Sequence, residues 1–370
     1  MPMNRRCAQW LATFTVVAAV AGSPTSAHAQ ARIRPDQPDM QIDAATKSAM
    51  LDSILHKLDS QYVIPEVGKK TRDAIAARRK RHEYDRITSA SELGDSLTSH
   101  LRAASHDRHL SVRYSYEPVP MSADTLTAAE RAKEDDFFRV RNYGFEQVER
   151  LLGNVGYIRL RGFVSSTEAG EAAAAAMRLM ANTDALIIDL RQNGGGNGQM
   201  VQLLTTYLLQ GDPVHLVNVY SRPDNITFQS WTLPWVPGPR YVGKDVYLLT
   251  SKRTFSAAEE FCFNLQNQKR ATIVGETTGG GAHPVKFERL SEHFQMSVPY
   301  ARSMNPDTGL DWEGVGVKPD VAVPANDALK TAHMMALKKL KDRPGDPADV
   351  AGAIDDLEKT GESRLPTAMR

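Results

Sequence analysis

Ser256 stands where a serine hydroxyl could act as a nucleophile. It follows an apolar run at 246–250 that predicts a strand, and it opens a helical pattern at 256–268. The small side chains of Ala257 and Ala258 leave room for a substrate beside the hydroxyl. Serine is also among the commonest residues at a helix N-cap, so the segment taken alone favours a structural cap.

Two glycine-rich loops could present backbone N–H groups to a negative charge. The first, at 189–196, follows an apolar strand, and amides at such a turn can bind a phosphate or form an oxyanion hole. It lacks both the Walker signature and the dinucleotide glycine spacing, and a tight turn explains its glycines equally well. The second, at 275–283, contains Gly280 and Gly281 and ends in His283.

Histidines and a glutamate supply candidate proton carriers. His109 lies just before a predicted strand at 110–116, and His106 precedes it by three residues. His283 closes the second glycine-rich loop, and Glu313 lies in a Trp-Glu-Gly-Val-Gly-Val turn. The pKa of histidine near neutral pH suits it to general-base chemistry, whereas a glutamate is usually a solvated surface residue. Each of these segments is a weak signal by itself.

Strand-like and helical patterns alternate from residue 153 onward, which predicts a layered α/β core. The predicted strands are at 155–160, 185–190, 215–220, 246–250, 271–274, 285–290 and 294–300. The predicted helices are at 168–180, 199–209, 256–268 and 326–340.

Three helical patterns precede this core. Apolar residues recur on one face at 50–62, a basic helix is predicted at 67–82, and a third helix begins at a capping box formed by Ser89 and Glu92. Residues 121–136 are polar and acidic and predict a linker or a surface excursion. The tail beyond Pro344 is polar, which predicts a loose segment.

The start of the chain has the composition of a secretory signal peptide. Arg5 and Arg6 precede an apolar stretch, and Ala27-His28-Ala29 offers a cleavage site. The formal net charge is +1, which gives no electrostatic basis for binding nucleic acid or an anionic membrane. No Cys or His spacing typical of metal ligands is present.

These patterns divide the chain into five segments. They are a signal peptide at 1–29, an N-terminal helical domain ending in a strand at 30–117, a linker at 118–150, an α/β core at 151–325, and a C-terminal helix with a loose tail at 326–370.

The loop at 189–196, Ser256, the loop at 275–283 and the turn at 315–320 occur in an order that resembles the tail-specific (C-terminal processing) protease family. Within it, the chain is most similar to the branch shared with the interphotoreceptor retinoid-binding protein and the tricorn protease core. The resemblance covers most of residues 150–325 and extends more loosely to the preceding helices.

The resemblance implies a crotonase/ClpP-like layered α/β core behind a small N-terminal helical domain. It implies Ser256 as the nucleophile and the amides of Ala257 and Gly195 as the oxyanion hole. His109 matches the histidine base of the tricorn-like branch, and Glu313 matches the acidic residue that orients it.

Three departures from the family pattern stand out. The segment between Tyr116 and Gly153 is too short for the PDZ domain that many members carry. Gly281 replaces the lysine of the serine–lysine members, so the base must come from elsewhere. Arg108 also stands where the tricorn core has a serine. His283 is a rival base or substrate-binding residue, together with Gly280 and Gly281.

The sequence therefore predicts an exported serine peptidase, periplasmic or extracellular, that acts on peptides or proteins without a cofactor or metal. It predicts no nucleic-acid partner and no membrane association after signal cleavage. Two alternatives remain: a non-catalytic module that binds an apolar ligand or a peptide on the same fold, and an esterase.

Overall fold

The computed structural model describes residues 37–121, 127–341, 350–361 and 363. The signal peptide predicted at 1–29 lies outside these residues. Within them the chain forms nine α-helices and twelve strands. The helices are α1 (Ala44–Ser60), α2 (Pro65–Lys80), α3 (Ala90–Ser105), α4 (Ala128–Arg139), α5 (Ser166–Met180), α6 (Gly198–Leu208), α7 (Ala257–Asn267), α8 (Ala328–Lys341) and α9 (Val350–Thr360).

The strands form three sheets. They are β1 (Ser111–Tyr114), β2 (Phe145–Leu151), β3 (Val155–Leu160), β4 (Ala185–Asp189), β5 (His215–Ser221), β6 (Ile226–Trp231), β7 (Asp245–Thr250), β8 (Thr272–Gly275), β9 (Val285–Ser291), β10 (Phe294–Pro299), β11 (Ala301–Met304) and β12 (Val321–Ala322).

The central sheet has six strands in the order β12-β8-β7-β4-β3-β2. All neighbours pair in parallel except β2, which runs antiparallel to β3. The side chains of β4 are buried along its whole length, as both faces of a covered parallel sheet require. The α/β architecture that the alternating patterns predict is therefore confirmed.

Helices cover both faces of this sheet. Apolar side chains of α5, α6 and α7 pack on one face, and those of α8 and α9 pack on the other. Val350, Ala353 and Leu357 of α9 are buried in the apolar cluster that α8 forms with this face of the sheet. The prediction of a loose tail is therefore wrong for Val350–Thr360, where apolar residues at helical spacing form a packed helix.

The predicted linker also differs from the structure. Thr127 and Glu130 form a reciprocal capping box that begins α4, and β2 adds an antiparallel edge strand to the central sheet. Within residues 115–121 and 127–154 the structure holds these elements and short turns, and no PDZ domain, in agreement with the length of the segment.

The N-terminal helices pack on a small sheet that the core completes. This sheet has the order β1-β10-β9, so two of its three strands come from residues 285–299. Phe294, Met296 and Val298 are buried among the apolar residues of α1 and α3. Strand pairing thus anchors the N-terminal helices to the core. Because β1 takes part in this pairing, the residues just before β1 also lie next to the core.

Candidate active site

The loops that follow β4, β7 and β8 meet at one edge of the central sheet, because these three parallel strands are neighbours. Hydrogen bonds tie the loops together. Thr254 Oγ1 donates to the Leu190 carbonyl at 2.9 Å, and the Gly279 N–H donates to the Thr254 carbonyl at 2.9 Å. The two glycine-rich loops therefore lie on either side of the segment that carries Ser256.

Ser256 sits in a strained turn directly before α7. Its backbone has φ 56° and ψ −124°, a combination that side-chain-bearing residues rarely adopt. Gly195 lies directly against it: a Cβ added to Gly195 would approach the Ser256 Cβ to 2.7 Å. The turn places a half-buried serine at the N-terminus of α7, where the helix dipole favours developing negative charge.

Glu259 holds this turn and the second glycine-rich loop in place. Its Oε2 accepts the N–H of Ser256 at 2.9 Å and that of Gly281 at 2.8 Å. Its Oε1 accepts the N–H of Gly280 at 2.7 Å and the hydroxyl of Thr278. Burial raises the pKa of Glu259, and the hydrogen bonds from Thr278 and the amides oppose that rise. Because all four partners donate, the geometry fits an ionised carboxylate.

The amides of Gly195 and Ala257, which are expected to form the oxyanion hole, lie close together, but the Gly195 amide is already hydrogen-bonded. A Cβ on Gly195 would lie 3.0 Å from the Ala257 nitrogen, so the first glycine-rich loop borders that amide. The Gly195 N–H already donates to Asn193 Oδ1 at 2.8 Å. The fully buried Asn193 is itself fixed by its Nδ2, which donates to the Leu160 carbonyl at 3.0 Å. The Gly195 amide must therefore be shared or released before it can donate to an oxyanion.

His109 lies beside the nucleophile turn. Its ring packs on the Phe255 ring with centroids 4.5 Å apart, and its Cε1 would lie 2.6 Å from a Cβ added to Gly281. Both ring nitrogens are buried and have no hydrogen-bond partner among the described residues. Burial lowers the pKa of His109 to about 4, although the neighbouring Asp107 acts in the opposite direction. The imidazole is therefore neutral near pH 7 and available to accept a proton.

Asp107 links two histidines. Its Oδ1 accepts the backbone N–H of His109 at 2.8 Å and lies 3.8 Å from that residue's Nδ1. Its Oδ2 lies 2.9 Å from His283 Nδ1 and accepts the Tyr62 hydroxyl at 2.9 Å. Burial alone would raise the pKa of Asp107, but the hydrogen bond from His283 and the charge of both imidazoles lower it. The carboxylate is thus suited to stabilise a positive imidazole.

Glu313 completes this polar pocket. Its Oε2 accepts the Ala282 N–H at 2.6 Å and lies 3.5 Å from His283 Nδ1, while its Oε1 is buried without a partner. Burial and the neighbouring Asp107 raise the pKa of Glu313 to about 7. Ligand atoms of Asp107, His109 and Glu313 all lie within 4.8 Å of one another. Asp107 is therefore a second carboxylate beside His109, in addition to the Glu313 that the resemblance implies.

His283 and His106 have different surroundings. Burial lowers the pKa of His283, but the bond to Asp107 and the charges of Glu313 and Asp107 give a net rise. His283 Nε2 is buried without a partner, so its ring is held at one nitrogen and free at the other. His106 is exposed and ends α3 in a left-handed conformation with φ 60°.

Gly280 and Gly281 leave no room for a lysine. A Cβ at Gly281 would lie 2.3 Å from the Phe255 ring as well as close to His109, and Gly280 has φ +79°. Arg108 donates from Nη1 to the Gly279 carbonyl at 2.9 Å and covers the Phe255 ring. His109 and Phe255 therefore occupy the space beside Gly281.

Three polar residues of the site were not singled out from the sequence. Asp107 stands two residues before His109, and Glu259 stands three residues after Ser256, which is the spacing of a capping box. Both local spacings are visible in the sequence. Tyr62, two residues after the end of α1, has no such signal because only the folded chain brings it to Asp107.

No helix in the described part of the chain is long and apolar enough to cross a membrane.

Comparisons with known proteins identify two regions of the chain. Residues 154–323 match peptidase family S41, and residues 44–137 match the N-terminal domain of peptidase family S41 found in the eukaryotic interphotoreceptor retinoid-binding protein. The chain therefore belongs to peptidase family S41, with an N-terminal domain of the retinoid-binding-protein type.

Individual relatives agree with this assignment. A carboxyl-terminal-processing protease of Synechocystis sp. is 29% identical over 171 residues, which are 46% of this chain and 38% of that protein. The chain thus spans about two fifths of the length of this relative. Two solved structures share the fold. Mature CPAF has a TM-score of 0.55 at 14% identity, over 88% of this chain and all of that one. The tricorn protease has a TM-score of 0.52 at 13% identity, over 86% of this chain and 37% of that one.

Proposed function

We propose that this chain is a serine peptidase that hydrolyses peptide bonds through an acyl-enzyme on Ser256. The observation that carries the proposal is the strained Ser256 turn, fixed by Glu259 and Gly195, beside a buried histidine with two carboxylates. Strain at a polar residue in such a turn is typical of functional sites. A helix cap alone has no need of the neighbouring imidazole.

In the proposed reaction the Ser256 hydroxyl attacks a peptide carbonyl, and His109 accepts its proton. The new O–C bond gives a tetrahedral oxyanion that the Ala257 amide stabilises, with Gly195 as a second donor once its bond to Asn193 is shared or released. Collapse breaks the C–N bond, and His109 returns the proton to the leaving amine. Water then attacks the ester carbonyl while His109 accepts a proton from it. The bond between the acyl carbon and Ser256 Oγ breaks, the carboxylic acid product leaves, and His109 returns the proton to Ser256.

The pKa of about 4 for His109 sets a requirement on its surroundings. A base this weak is neutral at rest, but proton transfer to it is unfavourable unless the imidazolium is stabilised. Asp107 and Glu313 lie close enough to provide that negative charge. We propose that both carboxylates act in this way, with Asp107 the nearer partner of Nδ1.

His283 is the alternative base, since Asp107 holds its Nδ1 and its Nε2 is free. His109→Gln and His283→Gln separate the two assignments. The variant that removes the base should lower kcat/KM by about 10²–10⁴-fold, measured on fluorogenic peptides. The other variant should retain most activity. A large loss in His283→Gln with a small loss in His109→Gln would transfer the role of base to His283.

The primary test is labelling of the purified protein with a fluorophosphonate, read by intact mass, beside Ser256→Ala. One phosphonyl adduct in the wild type and none in the variant is the expected result. Absence of an adduct under conditions that label a control serine protease would refute the acyl-enzyme and favour a non-catalytic binding module. Parallel assays with peptide and ester substrates decide between a peptidase and an esterase.

We also propose that residues 1–29 direct export to the periplasm or the medium and are then removed. The n-region, apolar stretch and Ala27-His28-Ala29 site support this proposal. Intact mass of the protein recovered outside the cytoplasm should correspond to a chain that begins at Gln30. A full-length mass in that fraction would contradict cleavage at this site.

A further inference from the structure

The pocket beside Ser256 holds polar atoms that nothing in the described part of the chain satisfies. Both ring nitrogens of His109 and the Oε1 of Glu313 are buried without a hydrogen-bond partner. The His109 side chain is only 7% exposed. Each such group costs on the order of 1–3 kcal/mol when left unpaired. A ligand that satisfies these atoms would therefore recover that cost.

The chemistry of the donors identifies the kind of ligand. Asp107, His109 and Glu313 offer one imidazole nitrogen and two carboxylate oxygens within 4.8 Å of one another. Three protein ligands of this type with a fourth position open are typical of Zn²⁺, whereas Ca²⁺ and Mg²⁺ prefer oxygen ligands. His109 Nδ1 and Asp107 Oδ1 are 3.8 Å apart, within the span of two ligands that each lie about 2.0–2.2 Å from one Zn²⁺.

Neighbouring groups hold these donors in orientation. The Tyr62 hydroxyl donates to Asp107 Oδ2, and His283 Nδ1 lies 2.9 Å from the same oxygen. The Ala282 N–H binds Glu313 Oε2, which leaves Oε1 available. Such outer hydrogen bonds are a regular feature of metal sites because they fix the ligand carboxylates.

We propose that Asp107, His109 and Glu313 form an inhibitory Zn²⁺ site. A zinc ion there uses a lone pair of His109 and neutralises the two carboxylates beside it. Zinc binding and peptide hydrolysis are therefore mutually exclusive. The inhibition rests on the proposed function, but the binding does not, so the two can be tested separately.

The test measures binding directly. Untagged protein is treated with a chelator, exchanged into metal-free buffer and titrated with Zn²⁺ against a chromogenic indicator. One Zn²⁺ per chain is expected for the wild type and equally for Ser256→Ala. His109→Gln and the nearly isosteric Glu313→Gln should each weaken binding at least about 10-fold, and Tyr62→Phe about 10–100-fold through Asp107.

His82→Gln is the matched control, because it removes an exposed histidine–carboxylate pair, His82 with Asp85 at 2.8 Å. It should leave zinc affinity unchanged. Circular dichroism and thermal melts establish that each variant is folded. Zinc binding that is absent in the wild type, or that survives unchanged in both His109→Gln and Glu313→Gln, would overturn the site.

Activity assays separate this proposal from the proposed function. Peptide hydrolysis that Zn²⁺ inhibits in the wild type, and that a chelator restores, supports both. Zinc binding by a protein that shows no hydrolysis and no fluorophosphonate adduct would refute the peptidase and leave the metal site standing. Hydrolysis that is unaffected by saturating Zn²⁺ would refute inhibition at this site.

Discussion

Glu259 is a buried carboxylate and Glu313 a partly buried one, and the two accept hydrogen bonds from consecutive amides of the same loop. Glu259 accepts the N–H groups of Gly280 and Gly281, and Glu313 accepts that of Ala282. Glu259 is fully buried and its two oxygens accept four hydrogen bonds in all. Glu313 accepts one, its other oxygen has no partner, and its side chain is 18% exposed.

This difference in hydrogen bonding indicates that Glu259 supports the fold of the loops, whereas Glu313 belongs to the pocket that can bind a ligand. A carboxylate whose partners all donate fixes the backbone on both sides of Ser256 and has no capacity left for a ligand. A carboxylate with a free oxygen beside an unpaired imidazole can still bind a proton, a substrate group or a metal. Substitution of Glu259 should therefore mainly lower the stability of the protein, and substitution of Glu313 should mainly lower its activity.

The largest loss of stability is expected for Glu259→Ala. It leaves three amides and the Thr278 hydroxyl without their acceptor, so the free energy of unfolding should fall by more than about 3 kcal/mol. Glu313→Gln, which retains an acceptor for the Ala282 N–H, should cost less than about 1 kcal/mol but reduce activity. Urea denaturation of both variants measures the contrast. Equal losses of stability in the two variants would contradict the conclusion that Glu259 supports the fold more than Glu313 does.

Gly281→Ala should have the next largest effect on stability. Its Cβ would lie 2.3 Å from the Phe255 ring and 2.6 Å from His109, so one ring must move, at a cost of about 1–3 kcal/mol. Gly194→Ala is the control, because nothing lies within 4 Å of a Cβ added there. Denaturation midpoints compare the two. A neutral Gly281→Ala would show that the pocket tolerates a side chain at this position.

Ser256→Gly should increase stability while it abolishes activity. Glycine adopts φ 56°, ψ −124° without the strain that serine stores there, so the variant should be more stable than Ser256→Ala by about 1–2 kcal/mol. Chemical denaturation of both inactive variants gives the comparison. If Ser256→Gly were no more stable than Ser256→Ala, the turn would not be strained.

Tyr62→Phe should have the smallest effect on stability. It removes one hydrogen bond to Asp107, which keeps its contacts to His283 and to the His109 amide, so about 0.5–1.5 kcal/mol is expected. Thermal melts against wild type measure it. A loss as large as that of Glu259→Ala would place Tyr62 with the scaffold instead of the pocket.

Local patterns in the sequence predict the core well because strands and helices there alternate at regular spacing. The strand before Ser256 and the helix after it are observed at Asp245–Thr250 and Ala257–Asn267. These features depend on few residues that lie close together in the chain.

Long-range pairings were not predictable in the same way. The attachment of β1 to β10 depends on residues far apart in sequence, and no local period encodes it. The position of Asp107 two residues before His109 is visible in the sequence, but its contact with His283 is long-range and forms only when the N-terminal layer meets the core. The packed helix α9 was missed because its polar surroundings outweighed the apolar spacing of Val350, Ala353 and Leu357.

The pairing of β1 with β10 makes the site a joint product of two layers. Tyr62, Asp107 and His109 come from the N-terminal layer, whereas Ser256 and Glu259 come from the core. The core alone holds Ser256 without His109, and the N-terminal layer alone holds His109 without Ser256. On the proposed function, a chain whose N-terminal layer is not docked on the core therefore lacks His109 beside the nucleophile. The pairing of β1 with β10 completes the proposed serine–histidine pair.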